Sequence, residues 1–192
     1  MSRTESLAVA LLFAAGLTLT TFAAHAGGGT PIALDGTVRA RHIPAVTLTD
    51  DRNAPLRLDT PAHGAIVILG YTRCADQCPL TLAKVAAALR PLDSHTRPQA
   101  VLVTVDPAHD DASTLHQYLA AWNNTITGAT GDATTLAKLY VALGAGDGRA
   151  PPRDHDTRVF VVDRNGEVRN ELAPDISPAT IASALRSLTG SE

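Results

Sequence analysis

Ala65-Ile66-Val67-Ile68-Leu69-Gly70-Tyr71-Thr72-Arg73-Cys74-Ala75-Asp76-Gln77-Cys78-Pro79 is the stretch on which the reading of this chain turns. Its first five residues are a continuous apolar run, the pattern of a strand buried on both faces of a sheet. Pro79 fits the first turn of a helix, where the N–H that proline lacks would have no partner anyway. Leu80, Leu82, Val85, Ala86 and Leu89 supply that helix with an apolar side. The two cysteines of the chain therefore fall where a central strand passes into its helix. That is the carboxyl edge of a sheet, where α/β proteins place their sites.

Two thiols with three residues between them support few kinds of chemistry. They can cycle between dithiol and disulfide, clamp a soft metal ion, or form a small structural bridge. The bridge is the weakest reading, because so short a loop restricts the unfolded chain little. At the start of a helix both sulfurs can face the same side, one turn apart. The partial positive charge and free amides there favour thiolate over thiol. Thiolates select Cu(I) and also accept zinc. Two sulfurs leave such a site incomplete, so a third ligand is expected elsewhere in the chain.

The seven histidines are separated by position. His25 lies in the N-terminal apolar segment. His42, His63 and His95 fall in turns or loops and read as solvated. His116 adjoins the apolar stripe of a helix and reads as structural. His109 follows Asp106-Pro107 at the end of a second strand, and His155 stands in Asp154-His155-Asp156 just before a third. Either of these two can reach the cysteines, and position alone leaves the choice open.

Away from this stretch, Ala45–Thr49 and Pro55–Leu58 are short β-type runs around Asp50-Asp51-Arg52-Asn53, which predicts a hairpin. Ala100–Val105 reads as a second buried strand. Asp110 or Asp111 can cap a helix bearing Leu115, Tyr118, Leu119 and Trp122, and Asp132 opens another with Leu136, Leu139, Tyr140 and Leu143. Arg158–Val162 is a strand that turns through Asp163-Arg164-Asn165-Gly166 into Glu167-Val168-Arg169. A last helix begins at Ser177-Pro178. The predicted class is α/β, with a mixed central sheet, helices on both faces and an N-terminal β-hairpin.

Residues 1–26 read as an export signal. Arg3 precedes an apolar run from Leu7 to Phe22, and Ala24-His25-Ala26 fits a small-x-small cleavage pattern. Threonines and Gly16 dilute that run as a permanent span, so membrane contact is expected only through this segment if it is retained. Residues 27–40 form a Gly-rich loose leader, and 41–192 a single domain with its own core. A net charge of −3 argues against nucleic acid or anionic membrane surfaces as main partners. Gly27-Gly28-Gly29 does not sit in a strand–turn–helix unit of the kind that cradles phosphate.

Gly70-Tyr71-Thr72 through Cys74 and Cys78-Pro79, then Val105-Asp106-Pro107, then Asp154-His155 before an apolar strand ending at Asp163, together resemble the Sco/SenC family of copper chaperones. The resemblance runs across roughly residues 43–188 and implies a thioredoxin-like fold. It implies that Cys74, Cys78 and His155 ligate copper, as Cu(I) or Cu(II). It also implies a periplasmic protein that takes copper from a donor protein and delivers it to an oxidase subunit, helping to mature the copper centre of cytochrome c oxidase. Asp76 matches an acidic residue between the cysteines that tunes the thiolates or caps the helix, and Asp106 matches a turn residue. This sequence departs from the family at Ala75, where proline is usual, and at His109, which replaces a basic residue and can add a weak ligand. Asp156 replaces a serine and is expected to place a carboxylate near the metal. The loop 144–153 also departs from the usual pattern.

The competing reading is a thiol–disulfide oxidoreductase acting on the cysteines of a periplasmic copper protein. It would make Cys74 and Cys78 a catalytic pair; a peroxidase reading is weaker still, since no arginine partner for a peroxidatic cysteine stands out in the sequence. Thiol–disulfide reductants usually carry two residues between the cysteines and a proline before the facing strand. Here there are three, and Asp156-Thr157 stands in the proline's place.

Overall fold

The strand–helix unit that contains the cysteines forms as its sequence demands. In the computed structural model, which describes residues 41–123 and 125–189, strand β3 spans Ala65–Gly70 and is buried along its whole length. Helix α1 follows as Gln77–Leu89, burying Cys78, Thr81, Leu82, Val85, Ala88 and Leu89. The other elements are β1 (Leu48–Asp50), β2 (Pro55–Leu56), β4 (Gln99–Thr104), α2 (Ala112–Leu119), β5 (Ile126–Thr130), α3 (Ala133–Leu143), β6 (Val159–Val162), β7 (Val168–Leu172) and α4 (Pro178–Thr189).

The seven strands form one mixed sheet in the order β2-β1-β5-β4-β3-β6-β7. Strands β3, β4 and β5 run parallel, while β6 returns antiparallel to β3 and the β1–β2 hairpin closes the other side. Alternate residues feed two cores. Val67, Leu69, Val101, Val103, Phe160 and Val162 pack with Leu136, Leu139 and Leu143 of α3. Ile66, Ile68, Leu102, Val159 and Val161 pack on the opposite face with Leu82 and Val85 of α1, Leu115 of α2, and Ile181 and Leu185 of α4. Helices thus cover both faces, as the alternation of strand and helix predicts.

The caps follow local chemistry. Asp111 accepts from the Thr114 N–H at 2.7 Å and opens α2, and Asp132 does the same for α3 through Thr135 N–H at 2.9 Å. In the hairpin turn, Asp50 Oδ1 accepts from the N–H groups of Arg52 and Ala54. The strands themselves are shorter than the β-type runs suggest, Leu48–Asp50 and Pro55–Leu56.

Strand β5 has no counterpart among the sequence expectations. Ile-Thr-Gly-Ala-Thr lacks an apolar run, and its central glycine weakens any strand signal. Gly128 is nevertheless required: a Cβ there would stand 2.7 Å from Leu115 Cβ, so α2 packs directly on strand backbone.

The expected signal, residues 1–26, and leader, 27–40, lie outside the described residues. Among the described residues no helix is long and apolar enough to cross a membrane.

Candidate metal centre

Strand β3 ends at Gly70, and the chain turns with Cys74 N–H donating to the Tyr71 carbonyl at 3.2 Å. Helix α1 then opens, placing Cys78 in its first turn and back over the strand end. A Cβ at Gly70 would lie 2.9 Å from Cys78 Sγ. The glycine therefore lets the sulfur sit close to the backbone of β3, where Cys78 is only 3% exposed. Cys74 is half-buried, and both cysteines are free thiols. Asp76 occupies the N-cap position but makes no side-chain cap bond.

His155 comes to the same edge from the other direction. A short 3-10 turn, Pro152–Asp154, delivers it just ahead of β6, the strand paired with β3. Its Nδ1 lies 2.7 Å from the Asp156 carbonyl oxygen. A carbonyl only accepts, so Nδ1 carries the proton and Nε2 keeps its lone pair. Nε2 stands 3.8 Å from Cys78 Sγ. The Tyr71 ring meets the imidazole edge-on, with centroids 5.8 Å apart. The ligand atoms of Cys74, Cys78 and His155 all lie within 4.8 Å of one another. A recess of ≈ 10 Å³, lined by Leu69, Cys78, Thr81 and His155 among others, lies at the same place. Two sulfurs and one imidazole nitrogen suit a soft ion such as Cu(I), and zinc also accepts them. A much larger groove, ≈ 750 Å³, runs along α3 and holds neither thiol; the chemistry, not cavity size, locates the site.

The two thiols are electrostatically unequal. Burial by itself raises the Cys74 pKa, but the N–H of Cys78, donating to Cys74 Sγ at 3.4 Å, outweighs it together with the Cys78 thiol and the amides of Asp76 and Gln77. The net shift of Cys74 is downward. Burial pushes the Cys78 thiol well up, and its contact with Cys74 adds to the rise. Of the two thiols, Cys74 therefore gives up its proton the more readily.

The remaining expectations divide. His42, His63 and His95 are exposed, and His116 pairs with Asp51 at 3.3 Å, away from the thiols. His109 does not join the ligand cluster. Its Nδ1 lies 2.8 Å from Asp106 Oδ1 and 2.7 Å from Arg73 Nη2, and Arg73 donates to Asp106 Oδ2 at 2.6 Å. Asp156 also contributes no carboxylate to the ligand cluster. Arg158 donates to it through its backbone N–H at 2.8 Å and its Nε at 2.9 and 3.0 Å. Burial alone would raise the Asp156 pKa, and these bonds lower it. The same guanidinium pairs with Glu171 and donates to the Gly144 carbonyl at 2.8 Å.

Asp110, one of two candidate caps, leaves that role to Asp111. Asp110 itself is fully buried and accepts from Thr72 N–H at 3.1 Å, Thr72 Oγ1 at 2.6 Å and Thr104 Oγ1 at 2.6 Å. It ties the segment leading to Cys74 onto the end of β4. Sequence reading passed over Arg73, Asp110 and Arg158 as site-supporting residues. The available signal was a second carboxylate just beyond Asp106-Pro107, with threonines at both strand ends.

The SCO1/SenC family model matches residues 38–190. A Stutzerimonas stutzeri protein named for copper binding is 36% identical over 109 residues, covering 55% of this chain and 53% of that protein. A SCO2-like protein of Rickettsia conorii is 29% identical over 131 residues, 64% of each. The chain thus spans about half to two thirds of the length of these relatives. Among solved structures, copper-bound ScoI of Bradyrhizobium japonicum superposes with a TM-score of 0.67 at 22% identity, covering 77% of this chain and 99% of that one. Copper-bound yeast Sco1 gives 0.66 at 22% identity, covering 79% and 94%. These likenesses establish the thioredoxin-like fold.

Proposed function

This chain belongs to the SCO1/SenC family, and from that membership we propose that it is a copper chaperone whose cargo is held by Cys74, Cys78 and His155. The observation that carries the reading is the convergence of two sulfurs and one lone-pair-bearing imidazole nitrogen within 4.8 Å, the imidazole coming from a residue 77 positions away from Cys78. Cys74 is the thiol that ionises more readily. Cys78 gives up its proton when the metal arrives. Three soft ligands at an accessible sheet edge hold Cu(I) while leaving it open to displacement by the thiols of a receiving protein. The proposed route takes copper from a donor protein to an oxidase subunit, in maturation of the cytochrome c oxidase copper centre. The proposed location is periplasmic, with residues 1–26 as the export signal, 27–40 as a leader and 41–192 as the copper-binding domain.

A second reading rests on the inequality of the thiols. A Cys74 thiolate can attack a target disulfide, forming a mixed disulfide and releasing one target thiolate. Cys78, once deprotonated, then attacks Cys74, forming the Cys74–Cys78 disulfide and releasing the second target thiol. Two electrons pass to the target in all.

Copper titration of the reduced protein separates the readings. One tightly held Cu(I), lost in Cys74→Ala, Cys78→Ala and His155→Ala alike, supports the chaperone. Binding that ignores His155, with rapid reduction of a disulfide substrate, transfers the assignment to the oxidoreductase.

A further inference from the structure

The opposite edge of the sheet carries a second collection of polar groups. A cavity of ≈ 330 Å³ opens between the carboxyl end of α1 and the segments entering β4 and β5, lined by Arg90, Arg97, Trp122, Asn123 and Thr125 with alanines of α1. The parallel strands begin here and end at the cysteines, so the two sites lie at opposite edges. The volume falls within the range of small-molecule sites, roughly 300–1,000 Å³.

Every polar side chain in this lining can donate, and no carboxylate is among them. Most arginines of the described residues are paired: Arg41, Arg57, Arg73, Arg149, Arg153, Arg158 and Arg169 each meet an acidic group. Arg90 stands at the C-cap of α1, where the helix dipole favours a cation. Arg97 has no such reason for its place. It is half-buried, and its guanidinium has no acidic partner among the described residues. Trp122 completes the recess with a half-buried indole backed by the Tyr118 ring at 5.4 Å. Two guanidiniums, an indole N–H, an amide and a hydroxyl form a donor-rich set with two positive charges and no carboxylate. Guanidiniums match oxyanions bidentately and stack on flat groups.

We propose that this cleft binds an oxyanion of the phosphate class, carried on a small or flat organic body that lies against Trp122. The phosphate can belong to a soluble monoester or to a lipid headgroup; the recognition is the same.

Trp122 is the only tryptophan of the chain, so its fluorescence reports on this cleft alone. The full chain is titrated with inorganic phosphate and phenyl phosphate against sodium chloride at matched ionic strength. Phosphatidylglycerol vesicles are run against phosphatidylcholine vesicles in parallel. The expected result is a saturable change with a phosphate ligand, weakened at least about tenfold in both Arg90→Gln and Arg97→Gln. Copper binding in these variants stays unchanged and verifies their fold. Saturation with phenyl phosphate identifies a soluble ligand, and saturation with anionic vesicles alone identifies a headgroup. A response that is absent, non-saturable or matched by chloride overturns the site on the wild-type protein by itself. So does a response that both variants retain.

Discussion

His155 Nε2 lies 3.8 Å from Cys78 Sγ, although the two residues are 77 apart in sequence. The pairing of β6 with β3 brings them together, and the bond from His155 Nδ1 to the Asp156 carbonyl turns the lone pair toward the sulfur. The third ligand is thus in place before any metal binds. His155→Ala is expected to weaken Cu(I) binding by more than the roughly 10–100-fold typical of outer-sphere changes. The unfolding midpoint in urea should hardly move, because the side chain is half-exposed and outside both cores. Competition with a Cu(I) chelator measures the affinity. Unaltered affinity would remove His155 from the ligand set.

Arg158 acts on the same imidazole at one remove. It fixes Asp156, whose carbonyl orients His155, and is itself anchored by Glu171 and the Gly144 carbonyl. Arg158→Gln is expected to lower Cu(I) affinity roughly 10–100-fold, the size seen when a ligand's supporting partner is lost. In a His155→Ala background the same substitution should change affinity little, since its effect passes through the imidazole. A double-mutant cycle tests this directly. Additive losses would mean that Arg158 acts on overall stability rather than on ligand placement.

The sequence displays the parts of this molecule that rest on local pattern. Ala65–Leu69 announces a buried strand, Pro79 a helix start, and Cys74 with Cys78 a soft-ligand pair, because each signal lies within one turn or one strand. Strand β5 stayed hidden, since Gly128 is there to suit the helix packed above it, not to bury a side chain. The roles of Arg73, Asp110 and Arg158 were equally hidden. Arg73 and Asp106 are separated by 33 residues, and Thr72 and Asp110 by 38. Only the fold brings a cation to its carboxylate. The same cause explains His109 and Asp156: each sits near the right edge in sequence, yet a neighbouring arginine engages it.

Asp110 should matter for the stability of the cysteine segment. Its carboxyl group takes three donors at a fully buried position, so removing it leaves two threonine hydroxyls and the Thr72 N–H without their partner. Asp110→Ala is expected to cost about 2–5 kcal/mol, read from urea unfolding of the reduced protein. Asp110→Asn keeps the shape and part of the bonding, and should cost less. A loss below about 0.5 kcal/mol for the alanine variant would show that water replaces the network.

The unequal thiols give the copper site a defined proton linkage. Cys74 has a lowered pKa, chiefly because amide donors at the start of α1 outweigh its burial, and Cys78 a raised one through burial. Alkylation of Cys74 by iodoacetamide should therefore begin below the pH at which an ordinary thiol, pKa about 8.5, reacts. Cys78 should resist until the solution is considerably more alkaline. Between the two titrations one thiolate is already formed and one proton remains to be displaced, so loading Cu(I) releases one proton. Affinity should then rise about tenfold per pH unit across that window. Below the Cys74 titration both thiols are protonated, and the slope should steepen toward two protons. Mass spectrometry of the alkylated peptides fixes the order of reaction, and chelator competition at several pH values fixes the slope. A slope of two persisting up to the Cys78 titration would mean that Cys74 holds its proton as firmly as Cys78.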